Sequence, residues 1–198
     1  MESEFWDVPD GKIAAVVTHL QMMERPVRPT TPRRALSVAA ELVHHAKPDL
    51  DWYRDLFTRV GADWMWFSRA GSDDATLAGL VHTGAVQVYS VRVNGHDEGL
   101  LELDFSVEGE CELVLFGLTS ALVGTGVGGW LMDHALDIAW AHPITRLHVH
   151  TCTLDSPQAL PFYTRSGFVA YRRQVEIADD PRKTGDLPRD ACPQEPVI

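Results

Sequence analysis

A glycine-rich stretch past the middle of the chain places the tightest constraint on the fold. An apolar segment over 112–118 precedes it, a segment with helical periodicity over about 126–141 overlaps its end, and between them runs Val123-Gly124-Thr125-Gly126-Val127-Gly128-Gly129. A strand that enters such a loop and continues as a helix leaves backbone N–H groups without helical partners, directed into one concavity at the positive end of the helix dipole. The pattern predicts a phosphate or pyrophosphate site that needs no basic side chains.

Composition excludes several classes of partner. The 198 residues include 17 Lys and Arg against 28 Asp and Glu, a formal net charge of −11, which argues against nucleic acid as a ligand. Three cysteines without a CxxC pair predict neither a disulfide framework nor a metal site and favour a reducing compartment. An acidic N-terminus and the lack of any apolar run of about 18 residues predict a soluble cytoplasmic protein with no membrane partner.

Hydrophobic periodicity outlines the elements before the glycine loop. It predicts a strand over 13–22, a helix over 50–60 and a short helix over 74–82, each helix preceded by aspartates that can cap it. The segment 36–44 fits a strand or a helix, with a strand favoured. Asn94-Gly95 predicts a hairpin between strands over 86–93 and 100–107, and a second turn leads to the strand over 112–118.

The remainder of the chain alternates helices with strands. The spacing predicts a helix over 126–141, a strand over 146–151, a helix over 156–165 and a strand over 168–177. The tail over 178–198 is polar and proline-rich, and we expect a surface extension without a fold of its own.

The glycines have three competing interpretations. Gly124-Thr125-Gly126-Val127-Gly128-Gly129 satisfies the letters of the dinucleotide fingerprint, but the preceding strand belongs to an antiparallel meander and the strand over 146–151 does not end in an acidic residue. No Lys-Ser/Thr follows the glycines, which excludes a nucleotide P-loop. A purely structural turn is the remaining alternative to a phosphate site.

Two segments in the expected order resemble the GNAT family of acyl-CoA-dependent N-acetyltransferases. The run from Val123 to Gly128 resembles the family's acetyl-CoA motif, Q/R-x-x-G-x-G/A, with Val123 departing from the usual Gln or Arg. The run from Ser156 to Phe168 resembles the second motif, N-x-x-A-x-x-x-Y-x-x-x-G-F, with Ser156 at the Asn position and Tyr163 at the Tyr position. Upstream segments resemble an uncharacterised bacterial subgroup.

The resemblance implies a fold and an activity. The fold is α/β (α+β), with a mixed, mostly antiparallel sheet, flanking helices and a splay between the fourth and fifth core strands, in one domain over 1–177. The activity is acetyl transfer from acetyl-CoA, without a metal, to a primary amine of a small molecule or protein by direct attack in a ternary complex. A non-catalytic acyl-CoA-binding module is the alternative. Homodimers are common in the family.

The resemblance also assigns residues to acetyl-CoA. Phe116, Gly117 and Leu118 pair with pantetheine like an added strand, while the loop over 123–129 and Ser156 bind the rest of the cofactor. Tyr163 takes the place of the family's general acid, which protonates the leaving thiolate; a core aromatic is the alternative.

Candidates for the general base remain open. Glu102 shares one strand face with Asp104, a face that is either solvent-exposed or part of the acceptor cleft, and Glu112 lies on the next strand. His150 lies near the end of the strand over 146–151 and shares a face with His148. Solvated carboxylates and a structural histidine are the alternatives.

Aromatic residues upstream predict an acceptor pocket. Tyr53, Trp64 and Trp66 lie where the resemblance places the acceptor side of the cleft, and they suit an apolar or cationic amine. Alternatively, Trp64 and Trp66 alternate within a short strand-like run and pack the helix over 50–60 against the sheet.

Overall fold

Seven strands form one sheet in the computed structural model, which describes residues 4–27 and 36–198. In chain order they are β1 (Lys12–Met22), β2 (Ala40–His45), β3 (Val86–Val93), β4 (His96–Asp104), β5 (Glu110–Leu118), β6 (Arg146–Cys152) and β7 (Val169–Asp179). The helices in the same residues are α1 (Leu50–Gly61), α2 (Asp74–Val81), α3 (Val127–Ala141), α4 (Ala159–Arg165) and α5 (Pro181–Thr184). None of these helices has the length and apolar character needed to cross a membrane.

The predicted elements are confirmed to within four residues at each end, with three differences. The segment 36–44 becomes a strand only from Ala40. The prediction of a short strand around Trp64 and Trp66 is wrong. Ala62–Trp64 is a 3₁₀ turn, and Met65 then takes a left-handed backbone conformation with φ of 55°. A run bent in this way does not pair with a sheet. Helix α5 was not predicted.

The order of strands in the sheet is β2-β3-β4-β5-β6-β1-β7. All neighbours are antiparallel except β5 and β6, which are parallel. The first strand of the chain thus lies between two strands from its C-terminal part, with His19 opposite both His150 and Arg172. The mixed, mostly antiparallel sheet with flanking helices is the predicted fold class.

Each face of the sheet is covered by its own core. On one face, Leu101 and Leu103 of β4 pack with Leu131 and Met132 of α3. On the other face, the helices are α1 and α2, and the buried residues there include Tyr53, Leu56, Phe57, Val88 and Leu100. The alternation of apolar residues along β4 divides them between these cores, which is why the strand is apolar on both faces.

The tail is held against the start of β1. Leu187, Ala191 and Cys192 are buried in a cluster with Ile13 and Ala15. Arg182, almost fully buried, pairs with Asp180 at 2.8 Å and donates to the backbone oxygen of Glu195 at 2.7 Å. This hydrogen bonding lowers the pKa of Asp180. The domain limit at residue 177 stays a prediction.

We expect Arg182→Met to release the tail. The change leaves the buried Asp180 carboxylate without its cation, which costs about 1–3 kcal/mol in the free energy of unfolding. Chemical denaturation and limited proteolysis measure the effect, with faster cleavage expected within 181–198. Arg189→Met, at an exposed position of the same tail, is the matched control. Equal protease resistance of the two variants would contradict this anchoring role.

Candidate active site

Strands β5 and β6 separate partway along their length. Their parallel pairing covers only Glu110–Glu112 against Arg146–His148. Beyond it, the part of β5 that contains Phe116, Gly117 and Leu118 lies at an opening in the sheet, with no ladder to β6 among the described residues. This is the predicted splay. An opening flanked by one unpaired strand edge can accept an extended ligand as an added strand.

The glycine loop joins this end of β5 to α3. It contains one 3₁₀ turn, Ser120–Leu122, and left-handed backbone at Gly124 and Gly126, with φ of 78° and 88°. Glycine adopts these angles without the penalty that a Cβ imposes. Helix α3 begins at Val127, so its positive N-terminal end faces the loop. Val123 is 75% exposed, so its side chain contributes nothing to the core.

The segment before β2 borders the same loop. The Ser37 backbone N–H and hydroxyl both donate to the Thr125 carbonyl oxygen, at 3.4 and 3.3 Å. The Leu36 side chain lies 3.6 Å from the position that a Cβ on Gly126 would take. Sequence reasoning missed this contact, because nothing in the residues around 36 identifies a partner that is almost 90 positions away.

Tyr163 lies beside the end of β5. Its ring is 6.2 Å from that of Phe116 and packs edge-on against those of Phe162 and Phe168. Burial, and secondarily the charge of Asp155, raise the pKa of Tyr163 well above its usual value. The hydroxyl is therefore protonated at neutral pH. Ser156 lies just before α4, and its hydroxyl accepts a hydrogen bond from the Gln158 backbone at 3.3 Å.

Glu102 is fully buried, which corrects the prediction that its strand face is solvent-exposed or lines the acceptor cleft. Its carboxylate accepts a hydrogen bond from the Tyr53 hydroxyl at 2.5 Å and pairs with Arg69 at 2.7 Å. Burial and the charge of Glu102 raise the pKa of Tyr53. Both carboxylate oxygens are thus engaged within the core under α1, so the geometry supports a structural role rather than proton abstraction.

Glu112 and His150 form a pair at the mouth of the opening. Glu112 Oε1 lies 3.4 Å from His150 Nδ1. Their hydrogen-bonding contact raises the pKa of His150 and lowers that of Glu112, each against an opposing effect of burial. The His150 side chain is 51% exposed, whereas that of His148 is 22% exposed and its pKa is lowered, chiefly by burial. Of these two histidines, His150 is therefore the more accessible.

His19, on the neighbouring strand β1, lies next to this pair. It faces His150 directly in the register, with ring centroids 5.8 Å apart, and its Nε2 is buried without a hydrogen-bond partner among the described residues. The sequence contained no signal for this juxtaposition, because it depends on the insertion of β1 beside β6. Within residues 4–27 and 36–198, no group of three or more His, Cys, Asp or Glu side chains is arranged to hold a metal ion.

The predicted aromatic residues occupy different environments. Trp66 lies against β5: a Cβ added to Gly117 would come within 2.8 Å of its ring, and within 2.4 Å of Val60. Glycine at position 117 therefore lets α1 and Trp66 approach the strand closely. Tyr53 is completely buried beneath them, while Trp64 and Trp66 are partly exposed.

The chain resembles several solved acetyltransferases at low identity. An aminoglycoside acetyltransferase from an uncultured soil metagenomic sample is 16% identical, with a TM-score of 0.56, over 69% of this chain and 93% of that one. A GCN5-related N-acetyltransferase from Sphaerobacter thermophilus is 13% identical, with a TM-score of 0.55, over 84% and 52%. A GNAT acetyltransferase from Elizabethkingia anophelis, solved with acetyl-CoA bound, is 16% identical, with a TM-score of 0.52, over 67% and 78%.

These likenesses establish the fold. The chain spans about half of the Sphaerobacter protein and 63% of a longer protein from Staphylococcus epidermidis. It has no significant match among curated proteins. The family model for the acetyltransferase (GNAT) family matches residues 41–168. These residues include β5 and β6, the glycine loop and Tyr163. The protein belongs to the GNAT acetyltransferase family.

Proposed function

We propose that the protein is an acetyl-CoA-dependent N-acetyltransferase that acetylates a primary amine of a small molecule or protein within a ternary complex. One juxtaposition carries the proposal. The glycine loop and the N-terminus of α3 adjoin the end of β5 at which the sheet opens, with Tyr163 beside that strand end and Glu112 and His150 where the pairing with β6 stops.

Acetyl-CoA fits the groups at this position. The backbone of Val123–Gly129 and the N-terminal end of α3 suit the pyrophosphate, because they combine backbone donors with a favourable dipole. Pantetheine would lie along Phe116, Gly117 and Leu118 as an added strand and direct the thioester into the opening. Ser156 lies just before α4, the helix that contains Tyr163, and would border the cofactor.

The reaction assigns one proton transfer to each side of the opening. The amine nitrogen attacks the thioester carbonyl carbon, and His150 takes a proton from that nitrogen, with Glu112 stabilising the resulting imidazolium. The carbon–sulfur bond then breaks, and the Tyr163 hydroxyl donates a proton to the leaving thiolate. The products are an acetylated amine and CoA. Trp64 and Trp66 would border the acceptor, whereas Tyr53 is fully buried, holds Glu102 in the core and does not line the cleft, contrary to the prediction from the sequence.

Blocking the glycine loop tests cofactor binding. Gly126→Trp should abolish the heat of acetyl-CoA binding in isothermal titration. The bulky side chain would fill the loop, and it would strain a residue with φ of 88°. Gly84→Trp is the matched control: it has φ of 79° and open space, but lies in the turn before β3. Binding by the control and not by Gly126→Trp is expected. Equal binding by both variants would mean that the glycines form a structural turn and do not bind the cofactor.

The pH dependence of amine-driven thiol release tests the base. Loss of a proton from His150 should raise kcat/KM as the pH increases, through a pKa above the usual 6.5 of histidine. Glu112→Gln removes the group that raises this pKa, so the acidic limb should move to lower pH, while the maximal rate falls because His150 becomes a weaker base.

Tyr53→Phe is the control, since it alters the buried Glu102 cluster and not the proposed base. It should lower the free energy of unfolding by about 1 kcal/mol and leave the pH of the acidic limb of kcat/KM unchanged. A limb that does not move in Glu112→Gln would exclude His150 as the base. Thiol release that never depends on any amine would favour a non-catalytic acyl-CoA-binding module.

A further inference from the structure

Strand β7 is an edge of the sheet with an unusually open surface. Within the part of the chain that the structure describes, it pairs only with β1, and ten of its eleven residues, all except Ala178, are exposed. The exposed residues include large apolar side chains, with Val175 at 69% and Ile177 at 53%. Natural edge strands are usually short, bulged or protected by lysine or proline, because their free N–H and C=O groups attract other strands.

Over most of its length this strand has no bulge, lysine or proline, and its four charged residues are of both signs. Its pairing with β1 has one irregularity, which leaves Tyr171 unpaired, and from Arg172 to Asp179 the register is regular for eight residues. This stretch contains neither lysine nor proline. Val175 and Ile177 project from the face of the sheet opposite to Glu176, because side chains alternate along a strand.

The charged residues of β7 are placed so that two copies of the strand, paired in antiparallel fashion, bring opposite charges together. In an antiparallel pair centred on Gln174, Arg172 lies opposite Glu176 of the second strand, and the two-fold symmetry repeats this pair. Arg173 then lies opposite Val175, where its aliphatic stem can cover the apolar side chain.

Neighbouring registers match the charges less well. Centring on Val175 places Arg172 and Glu176 opposite uncharged residues. Centring on Glu176 pairs Arg173 with Asp179 but places two Glu176 carboxylates directly opposite each other at the axis, which is destabilising.

We propose that β7 pairs in antiparallel fashion with β7 of a second copy of this chain, about a two-fold axis at Gln174, so that the two seven-stranded sheets become one. Backbone hydrogen bonds between the edges provide the attraction, and the two Arg172–Glu176 pairs select the register. The occupant is a second copy because the charge pattern is its own complement. The inference is independent of the proposed activity.

Charge reversal provides a decisive test through sedimentation velocity. Wild-type protein should sediment as a dimer, while Arg172→Glu and Glu176→Arg, each alone, should be monomeric, because each places like charges opposite each other twice. The double variant Arg172→Glu/Glu176→Arg should be dimeric again. An equimolar mixture of the two single variants should form a mixed dimer, since one chain then offers two negative residues and the other two positive ones.

Exposed positions elsewhere supply the controls. Arg165→Glu and Glu108→Arg change the net charge by the same amounts and should remain dimeric. Circular dichroism of each monomeric variant checks that the chain still folds, and recovery in the mixture excludes misfolding as the cause. A monomeric wild-type protein at all concentrations, or dimers that neither reversal disrupts, would overturn the proposal.

Discussion

The structure depends on the incomplete pairing of two parallel strands. Strands β5 and β6 are hydrogen-bonded only up to Glu112 and His148, and each then continues at the edge of an opening. The backbone groups freed there have no partner on the facing strand, and an opening of this kind can accept an extended ligand. The glycine loop, Tyr163 and His150 are all positioned by the elements that border it.

Charged residues near the opening divide into two groups by depth. Glu102 is bound by Arg69 and Tyr53 beneath α1, so it fixes the helix and the segment that follows it against the sheet. Glu112 lies closer to the surface, where its contact with His150 sets opposite pKa shifts in the two groups. Arg69 lies near both carboxylates and makes a small contribution to the lowered pKa of Glu112, after those of His150 and His148.

Sequence reasoning predicted the elements and the position of the glycine loop because their signals are local. Helical periodicity, the Asn94-Gly95 turn and the spacing of the glycines depend on residues that are close in the chain. It was wrong about the surroundings of Glu102, because alternation along a strand separates two faces without showing what covers each of them. It also missed His19, which meets His150 only because β1 is inserted next to β6.

The sequence alone therefore determined the succession of helices and strands, the glycine loop before α3 and the family to which the motifs point. These properties follow from backbone preferences and from patterns within a few turns or residues. Only the tertiary structure decided that the first strand lies between β6 and β7, that Glu102 is buried and that Glu112 meets His150. Each of these depends on contacts between segments far apart in the chain, whose pairing is selected by the packing of the whole sheet.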